Sequence, residues 1–468
     1  MSVSLRALWI FAALSFVPLL FLVQFTGEEA VYTLVPFEMH VSGSLLEPTI
    51  HGEPYRRPPL FNWLVLGMAQ VGGWDLSLFY VRFISAASSI LSSVAIYLFM
   101  RRVLGQEAER SLVAAVLYLT CWQVIGGYGW KGYADALFGF LTLLSILSTW
   151  RLTQGGRASF LWSLALALAS LSAFLTKAIT VYVFILGFLA ASFILNKASR
   201  VKTLLRVGPA LLISGGFALL WYYASPYGEI MASGASDDIL ERYLDGDAGD
   251  YLKNFFTFSL ESVLNFFPLS FVVIFCWVYL KSFSSGSKFG DVAGLAALIN
   301  FIPYALTSHT HSRYLMPIYG LAAIYAAFLC TRDTFHARRK LFLRCVTFVI
   351  GLKFIFALVL FPLYTHYKRP DIEKLALDVV LLADGRRIFS TDESWIGLSV
   401  ADVINRLRIQ DRFITKDFDR TPNIVLLSRH PVESLGLPAL QYRQEFFVYC
   451  SGYGAKGSPC PQGAGGRQ

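Results

Sequence analysis

The sequence contains few charged residues. Of its 468 residues only 15% are Asp, Glu, Lys or Arg, whereas 55% are hydrophobic, and the mean hydropathy is +0.54. Soluble globular proteins average about 25% charged residues, because their surfaces must be covered with polar groups. The composition therefore excludes an ordinary soluble protein and indicates a polytopic membrane protein.

The chain also lacks features that indicate other classes of protein. The first apolar run has no small-x-small cleavage site, so we interpret it as a retained helix and not as a signal peptide. We see no internal repeat, and no basic domain with interleaved aromatic residues accompanies the net charge of +9. The charge therefore does not indicate nucleic-acid binding. Of the six cysteines only Cys450 and Cys460 lie outside apolar surroundings, and their spacing leaves a disulfide between them open.

Long apolar runs are abundant. About eleven of them reach roughly 17 residues, which is enough to cross the hydrocarbon core as a helix. They lie near residues 6–26, 78–100, 111–127, 133–150, 159–176, 178–196, 207–225, 256–280, 289–307, 314–330 and 345–365. The predicted fold class is an all-α polytopic membrane protein with about 11–13 transmembrane helices.

Lys and Arg residues cluster in alternate connections between these runs, as at Arg101, Arg151, Lys202 and Arg338. Positively charged loops mark the cytoplasmic side of a membrane protein. The amino terminus is therefore predicted to be cytoplasmic, and Glu28 and the carboxy-terminal region are predicted to be exterior.

The predicted organisation is a transmembrane domain over 1–367 followed by a small soluble exterior α/β domain over 368–468. The first exterior loop, 27–76, has two short segments, 30–39 and 60–68, with the pattern of amphipathic interfacial helices. The second, 226–253, is acidic and Gly-rich, and is either a mobile flap or a simple solvated loop. In the second domain the pattern predicts strands at 387–390 and 423–428, a helix at 399–405 and a disordered tail.

Charges at the first membrane boundary form two adjacent pairs. Glu28 and Glu29 follow the first apolar run, and Arg56 and Arg57 come fewer than 30 residues later. Carboxylates can act as acid/base groups, and guanidiniums can bind a phosphate through two parallel hydrogen bonds. The alternative is that the carboxylates are ordinary interfacial charges flanking a helix. Asp135, which opens the fourth apolar run, is either functional or an N-terminal helix cap.

Other polar residues at the predicted exterior ends of the helices have simpler explanations. Lys131 and Arg313 can extend along the helices to reach the interface. His309 and His311 are two residues apart and so do not share a helical face, which makes a metal site with Glu28 or Glu29 an unfavoured alternative. No metal ligand is assigned and no cofactor is certain, although a divalent metal remains open.

Five short motifs occur in a characteristic order. They are Glu28-Glu29-Ala30-Val31-Tyr32, Gly52-Glu53-Pro54-Tyr55-Arg56-Arg57-Pro58-Pro59, Tyr133-Ala134-Asp135, Leu175-Thr176-Lys177-Ala178, and Ser312-Arg313-Tyr314-Leu315-Met316-Pro317. Together they resemble the membrane C-type glycosyltransferases of the aminoarabinose transferase and protein O-mannosyltransferase superfamily. The resemblance covers roughly residues 1–330.

The resemblance implies that a sugar is transferred, with inversion, from a polyprenyl-phosphate donor to lipid A, lipopolysaccharide or another envelope acceptor. The reaction is expected at the exterior face of the bacterial inner membrane, with membrane lipids as further partners and no nucleic acid. The implied catalytic residues are Glu28, Glu29 and Asp135; the implied phosphate-binding residues are Arg57, Arg56, Lys131 and Arg313; and the implied substrate-binding residues are Tyr32, Tyr55, Lys177 and Tyr314.

This chain departs from the family pattern at three positions. Glu28 stands where the family has Asp, Arg57 stands where the family has the Lys that holds the lipid phosphate, and Arg56 replaces an acid. A transporter or a noncatalytic lipid-glycan binding protein is the alternative. The absence of a visible repeat and the clustering of charge at one face disfavour a transporter, whose site lies near the bilayer midplane.

Overall fold

The structure is a computed structural model that describes residues 2–22, 25–156, 158–195, 200–226, 228–230, 243–244, 246–280, 284–331, 339–407, 414–416, 424–432, 438–442 and 445–451. The helices up to residue 224 are α1 (Ser2–Leu14), α2 (Val17–Leu20), α3 (Val31–Ser42), α4 (Leu60–Gly72), α5 (Ser77–Leu98), α6 (Ala108–Thr120), α7 (Ala134–Gln154), α8 (Ser159–Lys177), α9 (Thr180–Leu195) and α10 (Arg200–Ala224). The later ones are α11 (Ala248–Asn265), α12 (Leu269–Leu280), α13 (Lys288–Ala305), α14 (Met316–Cys330), α15 (Arg339–Ile355), α16 (Phe361–Lys368), α17 (Ile372–Ala383) and α18 (Trp395–Leu407).

Each of the eleven predicted apolar runs contains helix, which confirms the predicted fold class. Within the described residues, six helical segments are long and apolar enough to cross a membrane, or seven if the bent pair α11 and α12 is one span. The six are Trp74–Val103, Ala134–Gln154, Ser159–Lys177, Arg200–Ala224, Ser312–Cys330 and Phe342–Ala383. Shorter apolar helices lie at Leu5–Leu20, Leu60–Gly72 and Thr180–Leu195.

The chain divides into two compact units. The first unit comprises residues 1–21, 56–61 and 82–360, and the second comprises residues 22–55, 62–81 and 361–468. The carboxy-terminal residues thus share a unit with most of the first predicted exterior loop.

In the first unit, small residues allow α7 and α14 to pack closely. A Cβ atom at Gly139 would lie 3.3 Å from the backbone of Met316, and one at Gly320 would lie 3.0 Å from the Leu143 side chain. Small residues are a common means of bringing membrane helices together. Because Asp135 lies in the first turn of α7 and Arg313 in the turn Ser312–Leu315 just before α14, this packing fixes the two charged residues at adjoining helix ends.

A break separates α11 from α12, which meet at an angle of 99°. Backbone carbonyls exposed at such a break need hydrogen-bond donors, since hydrocarbon supplies none. The N–H of Trp122 donates to the carbonyl of Phe267 at 2.7 Å, and the thiol of Cys121 donates to the carbonyl of Asn265 at 3.1 Å. The end of α6 therefore stabilises the break.

The second unit contains a mixed four-stranded sheet. Its strands are β3 (Arg387–Ser390), β4 (Ile424–Ser428), β5 (Leu440–Tyr442) and β6 (Phe446–Ser451), in the order β3-β4-β6-β5, with β3 parallel to β4 and the other pairs antiparallel. Helices α17 and α18 pack together. The predicted strands and the predicted helix are all present, which confirms a small α/β domain.

The same unit contains the predicted interfacial segment 30–39 as part of α3, and a two-stranded hairpin follows it. The hairpin strands are β1 (Thr49–Ile50) and β2 (Glu53–Pro54). The short helical turn Gly27–Ala30, which carries Glu28 and Glu29, packs against α18. The carboxylate pair is therefore supported by the carboxy-terminal domain.

Three predictions fall wholly or partly outside the described residues. They concern the acidic segment 226–253, of which half is described, the Gly-rich tail after residue 451 and Cys460. Cys450 itself is disulfide-bonded.

Candidate active site

An ion pair lies at the adjoining ends of α7 and α8. The Lys177 ammonium donates a hydrogen bond to Oδ1 of Asp135, whose side chain is only 2% exposed. A carboxylate buried among membrane helices is costly unless a cation pairs with it. The sequence predicted both residues as site residues, and the structure brings them into contact.

Arg313 lies among three tyrosine rings. Its guanidinium carbon is 5.5 Å from the ring centroids of Tyr133 and Tyr314 and 5.9 Å from that of Tyr128. The Lys177 ammonium lies 5.0 Å from the Tyr314 ring centroid, on the same aromatic group. Ring faces attract cations most strongly where water is excluded, so the tyrosines hold both cations without neutralising them.

Lys131 and Arg57 extend this group. The Lys131 ammonium lies 4.9 Å from the Tyr128 ring centroid, and Arg57 is within electrostatic range of Lys177. Arg56 is exposed, and its neighbour Arg57 is half-buried. We call Asp135, Lys177, Arg313, Lys131 and the rings of Tyr128, Tyr133 and Tyr314 the cation–tyrosine cluster. It contains three cations for one carboxylate, which suits an anionic ligand such as a phosphate.

A second group of cations surrounds Trp130, next to Lys131 in the chain. The Lys353 ammonium is 4.8 Å and the Arg82 guanidinium carbon 5.6 Å from the Trp130 ring centroid. Arg82 also donates to the carbonyl of Leu19 at 3.2 Å. The sequence analysis did not select Lys353, Arg82 or Tyr128. Lys353 and Arg82 are charges inside apolar runs, which are a recognised signal of function.

Glu28 and Glu29 have different environments in the second unit. The Glu29 side chain is fully buried and accepts a hydrogen bond from the backbone N–H of Thr26 at 2.7 Å, so it stabilises the start of the turn. Glu28 is exposed. Tyr32 and Tyr55 are buried in the same unit, with exposed fractions of 3% and 8%. The predicted catalytic roles of Glu28, Glu29 and Asp135 stay predictions.

These environments predict different effects for two matched variants. Glu28→Gln is expected to lower turnover by roughly 100-fold or more while leaving thermal stability unchanged, because the amide removes only basicity and charge. Glu29→Gln is expected to retain more activity but to lower stability by about 1 kcal/mol, since it weakens a buried N-terminal hydrogen bond. Transfer rates and thermal melts of the two purified variants test this. Equal turnover in Glu28→Gln and wild type would move the catalytic role to another carboxylate.

Glu38, on α3, is a buried carboxylate that the sequence analysis did not select. It accepts hydrogen bonds from the Thr49 hydroxyl at 2.7 Å, from the N–H of His51 at 2.6 Å and from the N–H of Gly52 at 3.1 Å. Burial raises its pKa to about 7, and these three hydrogen bonds oppose the shift. The carbonyl of His51 in turn accepts from the N–H of Lys416 at 3.0 Å. Glu38 therefore holds the hairpin that also contacts the carboxy-terminal domain.

Stability is expected to fall as pH rises from about 4.5 to about 7, because the folded chain then keeps a proton on Glu38 that the unfolded chain has lost. The raised pKa corresponds to at most about 3 kcal/mol. Glu38→Gln should remove this slope, so the melting temperature of wild type minus that of the variant should be larger at pH 5 than at pH 8. The matched control is Glu47→Gln on the same loop. If the difference in melting temperature between wild type and Glu38→Gln were the same at both pH values, the raised pKa of Glu38 would be contradicted.

Among the described residues, no group of three or more His, Cys, Asp or Glu side chains has an arrangement suited to a metal ion. The alternative site built from His309 and His311 therefore has no assembled ligand set within the described part of the chain. A His309 ring nitrogen instead lies 3.1 Å from the Ser308 hydroxyl.

Comparison with known proteins agrees with these features. Residues 56–223 match the family of dolichyl-phosphate-mannose-protein mannosyltransferases. An undecaprenyl phosphate-α-4-amino-4-deoxy-L-arabinose arabinosyl transferase 2 of Pseudomonas fluorescens Pf0-1 is 28% identical over 377 residues, covering 76% of this chain and 64% of the relative. A transferase 1 of the same name from P. fluorescens ATCC BAA-477 is 32% identical over 155 residues, covering 32% of this chain and 27% of the relative. This chain thus spans less than two thirds of the length of these curated relatives.

Solved structures share the fold. The crystal structure of ArnT from Cupriavidus metallidurans bound to undecaprenyl phosphate has a TM-score of 0.69 at 14% identity and covers 95% of this chain and 97% of that chain. The archaeal oligosaccharyltransferase AglB from Archaeoglobus fulgidus, in complex with an inhibitory peptide and a dolichol-phosphate, has a TM-score of 0.53 at 14% identity and covers 91% of this chain and 69% of that chain.

The fold and the ordered motifs define the class of this protein as a membrane protein with the C-type glycosyltransferase architecture. The chain is similar to the aminoarabinose transferases and the protein O-mannosyltransferases over the stretches given above. The predicted resemblance is therefore confirmed.

Proposed function

We propose that this protein transfers a sugar from a polyprenyl-phosphate donor to an acceptor in the bacterial envelope, at the periplasmic face of the inner membrane. The observation that carries the proposal is the cation–tyrosine cluster, in which Lys177 pairs with the buried Asp135 carboxylate and Lys131 and Arg313 lie against neighbouring tyrosine rings. The relatives named above act on an undecaprenyl-phosphate sugar, and the ArnT structure contains undecaprenyl phosphate. An undecaprenyl-phosphate donor is the corresponding expectation for this chain.

The chemistry requires little covalent participation by the protein. The bond from the sugar anomeric carbon to the phosphate oxygen breaks, and the negative charge that develops on the phosphate must be stabilised. Fixed cations in a site with little water do this effectively. Arg57 suits the same role because its planar guanidinium can bind two phosphate oxygens at once.

The acceptor oxygen or nitrogen forms the new bond to the anomeric carbon from the opposite side, so the configuration inverts. When the acceptor is a hydroxyl or amine, its proton must pass to a base, and Glu28 is the proposed base because it is exposed. When the acceptor is a phosphate, no base is needed. Asp135 keeps Lys177 in place and sets the charge of the site.

The amino terminus would lie in the cytoplasm and the carboxy-terminal domain in the periplasm, because the positively charged connections alternate. Lipid A, lipopolysaccharide and other envelope glycans are the candidate acceptors. Mass spectrometry of envelope lipids and glycans from cells with and without the protein identifies the acceptor through the mass of the added sugar.

The experiment that tests the reaction uses purified protein in lipid nanodiscs with an undecaprenyl-phosphate sugar and lipid A. We expect a product heavier by one sugar residue, together with release of undecaprenyl phosphate. Binding of the donor without transfer of its sugar to lipid A would favour a noncatalytic lipid-glycan binding protein. Movement of the intact donor across the bilayer without transfer would favour a transporter.

A further inference from the structure

Glu261 is a carboxylate within α11, an apolar helix of the first unit that ends at a break. It accepts a hydrogen bond from Nδ2 of Asn265 at 3.2 Å and from the Ser312 hydroxyl at 3.3 Å. Nε2 of Gln123 donates to the same hydroxyl at 2.9 Å. Glu261 therefore belongs to a hydrogen-bonded group of polar side chains that also includes Asn265, Ser312 and Gln123.

The hydrogen bonds around Glu261 do not neutralise it. Within the described part of the chain no Lys, Arg or His forms an ion pair with Glu261, whereas Asp135 pairs with Lys177. The Glu261 side chain is exposed at the helix surface. An ionised carboxylate cannot face lipid at acceptable cost, and such residues usually face a water-filled cavity or a substrate path. A broken helix is a common site of ligand binding in membrane proteins.

Glu261 is also close in structure to the proposed phosphate site. Its hydrogen-bond partner Ser312 immediately precedes Arg313, and both lie in the turn Ser312–Leu315. In a polyprenyl-phosphate sugar the phosphate is bonded directly to the sugar ring. A phosphate held by the cation–tyrosine cluster would therefore place the sugar near Arg313. Glu261 is then a second carboxylate near the donor, besides Asp135.

We propose that Glu261 binds the protonated amine of an amino sugar carried by the donor, and thereby determines which sugar the protein accepts. This inference rests on the proposed function. The Asn265 and Ser312 hydrogen bonds fix the orientation of the carboxylate, and an ammonium group supplies the missing opposite charge. A charge-assisted hydrogen bond is about twice as strong as a neutral one, so a hydroxyl in place of the amine binds less well.

The test compares two undecaprenyl-phosphate donors, 4-amino-4-deoxy-arabinose and arabinose, with purified wild type and Glu261→Gln in nanodiscs. Wild type is expected to prefer the amino donor by about 10- to 100-fold in kcat/KM, as charged hydrogen bonds commonly provide. Glu261→Gln should reduce this preference to about 3-fold or less, mainly by raising KM for the amino donor. Binding of undecaprenyl phosphate alone and the thermal melt should not change.

Asp291→Asn is the matched control. Asp291 lies in the first turn of α13, where it accepts hydrogen bonds from Ser284 and Ser285. Its amide variant removes one carboxylate from a membrane helix without altering the surroundings of Glu261, and it should keep the wild-type preference. Glu261→Asp, which keeps the charge on a shorter side chain, should restore part of the preference.

Four outcomes overturn the inference. If Glu261→Gln keeps the preference, or if wild type uses the neutral sugar equally well, Glu261 does not recognise an amine although sugar transfer stands. If Glu261→Gln loses activity equally with both donors, Glu261 contacts a hydroxyl or supports the fold. If wild type neither binds nor uses any polyprenyl-phosphate sugar, the proposed function fails as well.

Discussion

Replacing Asp135 by Asn is expected to reduce sugar transfer by roughly 100-fold or more, in the range found for loss of a charged group that acts at the reaction centre. The amide keeps the shape of the carboxyl but removes the negative charge that pairs with Lys177. With the Asp135 side chain 2% exposed, water cannot replace the lost charge. Single-turnover rates at saturating donor, with equal protein in the membrane, measure the effect.

Two further variants separate chemistry from folding at this pair. Lys177→Met leaves a buried carboxylate without its cation, so it should lower both activity and thermal stability. Because the partners are in contact, the losses in the double variant Asp135→Asn/Lys177→Met should be far from additive. Recovery of transfer in the double variant would show that the pair only supports the fold. Wild-type turnover in Asp135→Asn alone would remove Asp135 from the site.

Replacing Arg57 by Ala is expected to cost about 2–4 kcal/mol in transition-state stabilisation, which is roughly a 30- to 900-fold loss in kcat/KM with donor below saturation. Arg57→Lys should lose much less, because it keeps the charge although it loses the planar pair of donors. Removal of Arg57 also takes away a cation that acts electrostatically on Lys177. Initial rates at low donor concentration compare the two variants.

Two controls accompany this comparison. Arg102→Ala removes an exposed arginine from a connection predicted to be cytoplasmic and should leave the rate unchanged. Arg56→Ala should give a smaller loss than Arg57→Ala, because Arg56 is exposed whereas Arg57 is half-buried. Near-normal transfer by Arg57→Ala below donor saturation would eliminate Arg57 from phosphate binding.

Local patterns in the sequence predicted the elements of the fold. Apolar runs of about 17 residues predicted helices because a bilayer requires that length and satisfied backbone hydrogen bonds. The short apolar segments at 387–390 and 423–428 predicted strands that the structure contains at β3 and β4. The ordered motifs predicted a resemblance to the superfamily, which the comparisons confirm.

The sequence did not distinguish the roles of neighbouring carboxylates. Glu28 and Glu29 are adjacent and of the same type, yet one is exposed and the other is buried with a hydrogen bond from Thr26. Glu38 and Glu261 drew no attention because the residues next to each of them in the sequence are uncharged. Their significance comes from partners far along the chain, such as Ser312 for Glu261.

The sequence by itself therefore determined the class of protein, the positions of its helices and strands, and the set of charged residues at the helix ends. Hydrophobicity and backbone hydrogen bonding act over short distances in the chain, so they can be read locally. Tertiary structure alone decided that Lys177 pairs with Asp135, that Arg313 lies against three tyrosine rings, and that Glu261 has no cation beside it within the described residues. These contacts join residues up to 185 positions apart, and close packing of helices fixes them, which no local pattern records.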